Sequence, residues 1–455
     1  MAAFIVSPFG VVVMSLFAGL FTMPSEQPFT VLAYGWAVAS GERQTITTYL
    51  WLTGATSVKH FSCFYRFLGG ALYEARWQLW ARIIRCAAQW VPAEAVIVLI
   101  VDDSTKKKAG RQIEGVSHSR NGAGSARQED RTLRGLNCVW GQMRVPVPGG
   151  PGRRVSVPSG LSLYLKEEHA RKLQLPYQTR SALAREIVDF VTAQLPTRRI
   201  RVLGDGGDAT KDTLRQLPAR VDVVSRMLIT GKLSAPPPLR TTPRRGCPPK
   251  KGPLLGAPKP LARKRAGWQP HPTAAGALVQ VWTGLWHTVL PGRLIRVVVV
   301  RRPRQPRARK PGQRKPLPPV EALFTTDLTR SLEAILAQYR ERWAVEITIR
   351  DSNAFTGFGQ DHCRKREHVV GANTLRLLLA AARTLWFVEH TARTPAFDLR
   401  RYRPWYRHKV APSQLDIVWT WREALHAAGI FPIPRFASAL AEIPQGAENA
   451  LPLAA

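Results

Sequence analysis

Residues Ser331 to Asn353 read SLEAILAQYRERWAVEITIRDSN. Leu332, Ile335, Leu336, Tyr339 and Trp343 recur at helical spacing, which predicts an amphipathic helix with one buried stripe. The next member of that stripe is Glu346, where an apolar residue is expected. A carboxylate on a core-facing stripe is costly unless it is paired, hydrogen-bonded or bound to a metal. Tyr339, Arg342, Glu346 and Asn353 follow one another at +3, +4 and +7. At about 100° per residue they fall within a sector of roughly 60°. On the helix alone, a buried Glu346–Arg342 pair one turn apart, with no chemistry, accounts for the spacing as well as a metal does.

Two upstream stretches also carry acids. Val96 to Val101 (VIVLIV) has the composition of a strand buried on both faces. It runs into Asp102-Asp103-Ser104-Thr105, and carboxylates at a strand exit lie where α/β folds place their sites. A turn that opens with Asp is the plain alternative. Lys106, Lys107 and Lys108 follow, and such cations suit a phosphate backbone. Successive strand residues face opposite sides, so one of the pair points into a site; Asp102 is preferred and Asp103 stays open. The second stretch, Arg199 to Leu203, leads into Gly204-Asp205-Gly206-Gly207-Asp208 and a helix over 210–217. Gly204, Gly206 and Ala209 match a dinucleotide fingerprint, with Asp222 further on as its acid. Asp205 and Asp208 would oppose a pyrophosphate there, and Asp222 begins its strand rather than ending it. Asp205 is therefore read as a site residue and Asp208 as a helix cap.

Tyr339, Arg342 and Glu346 match Tyr-x2-Arg-x3-Glu-x6-Lys, and the chain resembles the bacterial insertion-sequence transposases of the DDE type that carry this signature. The resemblance implies an RNase H-like catalytic domain, hence an α/β fold with a mixed sheet and flanking helices. It implies that Asp102, Asp205 and Glu346 bind metal, and that Mg²⁺, or Mn²⁺ in its place, is the cofactor. Two such ions lie about 4 Å apart in sites of this kind and would drive in-line attack at phosphorus. Arg342 would orient Glu346, and Tyr339 would touch a backbone phosphate near the cut. Asn353 stands where the signature has Lys, and so carries no charge to DNA. Either Arg350, one turn beyond Glu346, compensates, or binding of the element ends is weaker, or this copy is decayed. The implied activity is DNA cutting and strand transfer at terminal inverted repeats and a target, by a dimer on double-stranded DNA. An RNase H-like nuclease without strand transfer and a non-catalytic DNA-binding descendant are the rival readings.

Charge supports a polyanionic partner. Lys and Arg number 66 against 31 Asp and Glu, a formal net charge of +35 over 455 residues. Between Val223 and Val320 there is no acid at all, against 21 Lys or Arg. Arg226, Arg244, Arg245, Lys250 and Lys251 are the DNA-contact candidates of this region. Trp268, Trp282 and Trp286 could stack on unpaired bases, although packing explains at least two of them. Five scattered cysteines lack zinc-finger spacing and suit a reducing compartment, so the expected location is the cytoplasm, on the nucleoid. Phe4 to Phe21 is uncharged, but Pro8, Gly10 and Gly19 interrupt it and no Lys or Arg precedes it. A buried helix, or a start placed too far upstream, is preferred to a membrane span.

The rest divides the chain. Residues 1–95 read as an N-terminal helical region, 96–227 as the first part of the catalytic domain, and 228–320 as a basic insertion with a small β core. Residues 321–395 read as the second catalytic part, with the Glu346 helix, and 396–455 as a basic, aromatic segment and tail. Leu136–Val145, Ser162–Leu165, Leu278–Trp286 and Leu294–Val300 read as strands, 106–128 as a loop and Thr374–His390 as a core helix. Asp361-His362-Cys363 are sequence neighbours that cannot easily converge on one ion, and read as a loop. Trp405 to Lys409 is a basic, aromatic contact candidate.

Overall fold

The computed structural model describes residues 8–17, 19–39, 43–57, 59–120, 132–149, 152–207, 209–238, 247–263, 266–303, 320–394 and 397–430. Five helices come first: α1 (Pro8–Phe17), α2 (Met23–Val38), α3 (Ile46–Leu52), α4 (Ser62–Gly69) and α5 (Ala71–Gln89). Thr45 caps α3 by accepting from the Thr48 amide. Phe9, Val13 and Phe17 of α1 are buried, so the apolar N-terminal stretch packs into the core. No helix among the described residues is long and apolar enough to cross a membrane.

Strands β1 (Ile97–Lys107), β2 (Val116–Arg120), β3 (Thr132–Pro146) and β4 (Arg154–Leu163) follow. Then come α6 (Glu167–Lys172), α7 (Arg180–Gln194), β5 (Ile200–Gly204), α8 (Lys211–Leu214) and β6 (Val221–Arg226). The sheet runs β2-β3-β1-β5-β6, with β4 also on β3; β1, β5 and β6 are parallel and β3 is antiparallel to β1. This is an RNase H-like mixed α/β sheet with helices on its faces. α7 packs closely because Gly141 and Gly160 lie beneath Ile187; a Cβ on Gly141 would stand 2.5 Å from the Ile187 Cγ2.

Several sequence expectations change here. β1 does not end at Asp102; its pairing with β3 carries it to Lys107, so much of the expected loop is strand, and β2 lies further along it. β4 starts at Arg154, well before Ser162, because β3 supplies a partner along its whole length. The helix after β5 covers only Lys211–Leu214 and is capped by Thr210; Asp208, expected to cap it, lies outside the described residues.

The insertion contributes β7 (Leu233–Ser234), β8 (Leu254–Gly256), α9 (Pro258–Leu261), β9 (Gln269–Pro270), β10 (Leu278–Leu285) and β11 (Leu294–Arg301). These strands extend the main sheet: β6 pairs with β12 (Val320–Thr325), β12 with β11, and β11 with β10, all antiparallel. Trp286 is buried against Phe324, and Trp268 is partly buried with the Arg301 guanidinium 4.2 Å from its ring centre.

Four helices complete the chain: α10 (Leu332–Glu341), α11 (Ala344–Phe355), α12 (Arg366–Arg393) and α13 (Gln414–Ala427). α12 is the central helix, almost wholly buried from Val369 to Val388, against α1, α4, α5 and β4. Asp361 is buried in the loop before it and pairs with Arg376 at 3.1 Å, so the expected loop is there, held by an ion pair. Gly371 meets the Leu68 backbone carbonyl so closely that a Cβ would overlap it. Backbone cannot yield as a side chain can, so Gly371→Ala is expected to lose about 1–3 kcal/mol, read as a lower urea midpoint with unchanged slope.

Candidate active site

The Ser331–Asn353 segment is two helices, not one. Ser331 caps α10 by accepting from the Ala334 amide. At the junction the amides of Arg342, Trp343 and Val345 bond to carbonyls three residues back, a tighter winding than the α-helix. The phase shift removes Trp343 from the buried stripe; it is 58% exposed. It also leaves Arg342 between two acids. Its Nη1 donates to Asp102 Oδ2 at 2.9 Å and its Nη2 to Glu346 Oε1 at 2.8 Å. One turn back, the Tyr339 hydroxyl donates to Asp205 Oδ1 at 3.4 Å, and the Arg342 guanidinium carbon lies 5.9 Å from the Tyr339 ring centre.

Strand pairing brings the two aspartates to the same edge. Ile100 of β1 is opposite Leu203 of β5, and Asp102 and Asp205 each lie two residues further on. β1 loses β5 as a neighbour there while β3 stays paired, which opens space beside Asp102. Asp103 faces the other way, accepting from Asn137 Nδ2 at 3.0 Å and Arg180 Nη1 at 2.9 Å. Asp102, Asp205 and Glu346 thus surround the Tyr339–Arg342 pair, and Asp103 lies apart from them.

The electrostatics at Asp102 are unbalanced. Burial pushes its carboxyl up to about 7. The Arg342 charge and the Asp103 amide pull it down, while the Asp103 and Asp205 charges push it up. A carboxyl raised this far binds a proton in the folded protein that the unfolded chain has already lost. Stability of the metal-free protein therefore falls as pH rises from about 4 to about 7. Asp102→Asn is expected to flatten that limb of a urea-midpoint-versus-pH curve.

Among the described residues no three of Asp, Glu, His and Cys lie close enough to hold one metal ion. Arg342 occupies the space between Asp102 and Glu346. The donors themselves are hard carboxylate oxygens, and Asp102 remains short of positive charge even beside Arg342, which is the chemistry a divalent cation satisfies.

A cleft of ≈ 640 Å³ adjoins the site, lined by Arg226, His271, Arg302, Glu321, Tyr339 and Arg340 among others. Arg226 Nη2 donates to Glu321 at 2.7 Å and its Nη1 lies 3.9 Å from Asp205. Burial, then the Arg340 and Arg302 charges, hold His271 below its ordinary value, a sign of the positive field there. His271, Arg302, Glu321 and Arg340 were not singled out from the sequence. Glu321 had a signal, as the first acid after the acid-free span.

The remaining candidates are dispersed. Lys106 Nζ donates to Asn353 Oδ1 at 2.6 Å, beside the site. Arg350, expected to compensate for Asn353, turns instead to Asp351 at 2.9 Å, a neighbour on its own helix that offers a buried carboxylate. Lys107, Lys250 and Lys251 are exposed. Arg244 and Arg245 lie outside the described residues, as does the expected tail from Phe431 to Ala455. The Rossmann rival fails on its acid: Asp222 is buried beneath Arg199, Arg201 and Arg293. Trp405 is 71% exposed and Tyr406 is 54% exposed, on a basic surface.

A mixed sheet with acids beside a cationic cleft is compatible with a nuclease-type protein, and residues 36–284 match the model of the DDE superfamily endonucleases. The chain belongs to that family, whose endonuclease domain implies a DNA substrate. The match spans Asp102 and Asp205 and ends before Glu346, so Glu346 rests on the geometry above. No curated protein matches the sequence.

Proposed function

We propose that this protein is a transposase that cuts the ends of its own insertion sequence and joins them to a target. The observation that carries the reading is the meeting of Asp102, Asp205 and Glu346, from three distant segments, around Tyr339 and Arg342 beside a cationic cleft. Asp102 and Asp205 would hold divalent cations, Mg²⁺ or Mn²⁺, with Glu346 completing the set as Arg342 shifts. Such ions, when bound, activate the attacking oxygen and stabilise the leaving one at phosphorus.

The chain's own residues do the rest. Arg342 orients the Asp102 and Glu346 carboxyls toward each other before DNA arrives. The Tyr339 hydroxyl lies where it can pass its hydrogen bond from Asp205 to a phosphate oxygen. Arg226, Arg302 and Arg340 grip the backbone along the cleft. Lys106 brings an ammonium to Asn353, where the signature's own lysine would stand. Asn353→Lys would set a second ammonium against Lys106, so no gain in DNA affinity is expected. The salt slope of binding should stay unchanged rather than steepen by roughly 0.9.

The test is one incubation of protein, Mg²⁺ and linear DNA carrying its own gene with flanks. The expected products are breaks at the two element ends, followed by joining to a supercoiled target. Cleavage without joining would make it a nuclease of the same fold. DNA bound but never cut would make it a non-catalytic descendant, the reading favoured by an arginine lodged between two of the acids.

A further inference from the structure

Arg383, on α12, is 1% exposed, and among the described residues no acid acts on it. Its guanidinium carbon lies 5.0 Å from the Trp36 ring centre and 5.3 Å from that of Trp421. Those two indoles are themselves 5.6 Å apart, so they form one aromatic wall against the cation. Its Nε and Nη2 are buried without a hydrogen-bond acceptor among the described residues. Among the described residues the charge that acts on it is another cation, Arg422 of α13, whose Nε is also buried without a hydrogen-bond partner among them. Burial, and then Arg422, push the Arg383 guanidinium down to about 9.

Two arginines facing each other with orphan donors make a costly arrangement. A structural arginine in a core ends on a carboxylate or a carbonyl, as Arg376, two turns back on the same face of α12, does on Asp361 and the Gln44 carbonyl. Cation–π contact with two indoles offsets part of the cost and leaves the in-plane N–H groups unused. The pair lines a cleft of ≈ 290 Å³ between α2, the end of α11, α12 and α13. One water takes roughly 30 Å³, so the cleft has room for a tetrahedral oxyanion. Its other polar side chains among the described residues include Gln44 and Gln360, which are neutral, and no acid among the described residues lines it.

We propose that this cleft is a phosphate-binding site, with Arg383 and Arg422 as its two cationic donors. The ligand is a phosphate group carried either by free phosphate or by the terminal phosphate of a DNA strand. The site stands apart from the catalytic acids and does not depend on the activity proposed above. It lies at the far end of the helix that carries Glu346: Phe355 lines the cleft nine residues on, roughly 13 Å along the axis.

Trp36 and Trp421 make the site observable. Inorganic phosphate, added to the full-length protein against chloride at equal ionic strength, is expected to change tryptophan emission with saturation. Arg422→Gln should weaken that response about tenfold or more, the loss of one charge-assisted hydrogen bond. Arg383→Met serves as the second variant. An arginine kept only for packing should lose stability on that change, whereas an orphan cation should not, and the phosphate response should vanish. Phosphate also stabilises proteins by exclusion, and the variants would share that effect equally. A 5′-phosphorylated oligonucleotide acting below the concentration of its unphosphorylated twin, and below free phosphate, assigns the site to a DNA end. Equal potency of oligonucleotide phosphate and free phosphate assigns it to the small anion. No saturable response, or the same response in wild type and both variants, overturns the proposal.

Discussion

Asp205→Asn and Glu346→Gln are each expected to lower Mg²⁺-dependent cleavage by roughly a thousandfold, the value of several kcal/mol of lost charge stabilisation. DNA affinity should hold or rise slightly, because each change removes a negative charge from a surface that meets phosphate. Gel-shift binding and single-turnover cleavage on the same DNA measure the two separately. Asp103→Asn is the control. It lies on the other face of β1, tied to Asn137 and Arg180, and should retain most of the cleavage rate. If it instead matched Asp205→Asn while Asp102→Asn stayed active, the assignment of the first acid would be reversed.

Arg342→Ala carries the second large effect. It would leave Asp102 and Glu346 without their shared cation in a site where Arg342 and Asp102 side chains are only 13% and 17% exposed. Breaking a buried pair costs about 3–5 kcal/mol, and the greater exposure of Glu346 argues for the lower end. The variant's melting temperature should recover on adding Mg²⁺ more than wild type's rises, because the vacated space suits a cation. Arg342→Lys supplies charge at one point rather than to both carboxylates and should restore stability only in part. Loss of stability with no Mg²⁺ response would mean that the arginine serves only the fold.

The acids were legible because each broke a local pattern. Glu346 sat on an apolar stripe, Asp102 followed an apolar strand, and Asp205 came directly after another. What could not be read was the winding between α10 and α11. Periodicity assumes a constant turn, and the three-residue hydrogen bonds at 342–345 shift the phase without any Pro or Gly to announce it. Asp102 was expected at a strand exit, but β3 keeps pairing to Lys107, and strand ends depend on partners far off in sequence. The same reason hid Lys106 at Asn353 and made Arg350 look like the natural substitute. Arg383 was missed because apolar composition marks 374–390 as a core helix without saying what an arginine inside it meets, here two indoles.

Strands β10 to β12 are hydrogen-bonded onto β6 without a break. One wall of the cationic cleft is therefore cut from the same plank as Asp102 and the strand that leads to Asp205, whereas Glu346 is brought in on a helix. If the cleft grips DNA as proposed, that seam would hold no hinge between clamp and acids, and the backbone would set the interval from clamped phosphate to severed bond like a jig. Lengthening or shortening a spacer in the DNA should then leave the cut at a constant distance from the clamp instead of at a constant sequence.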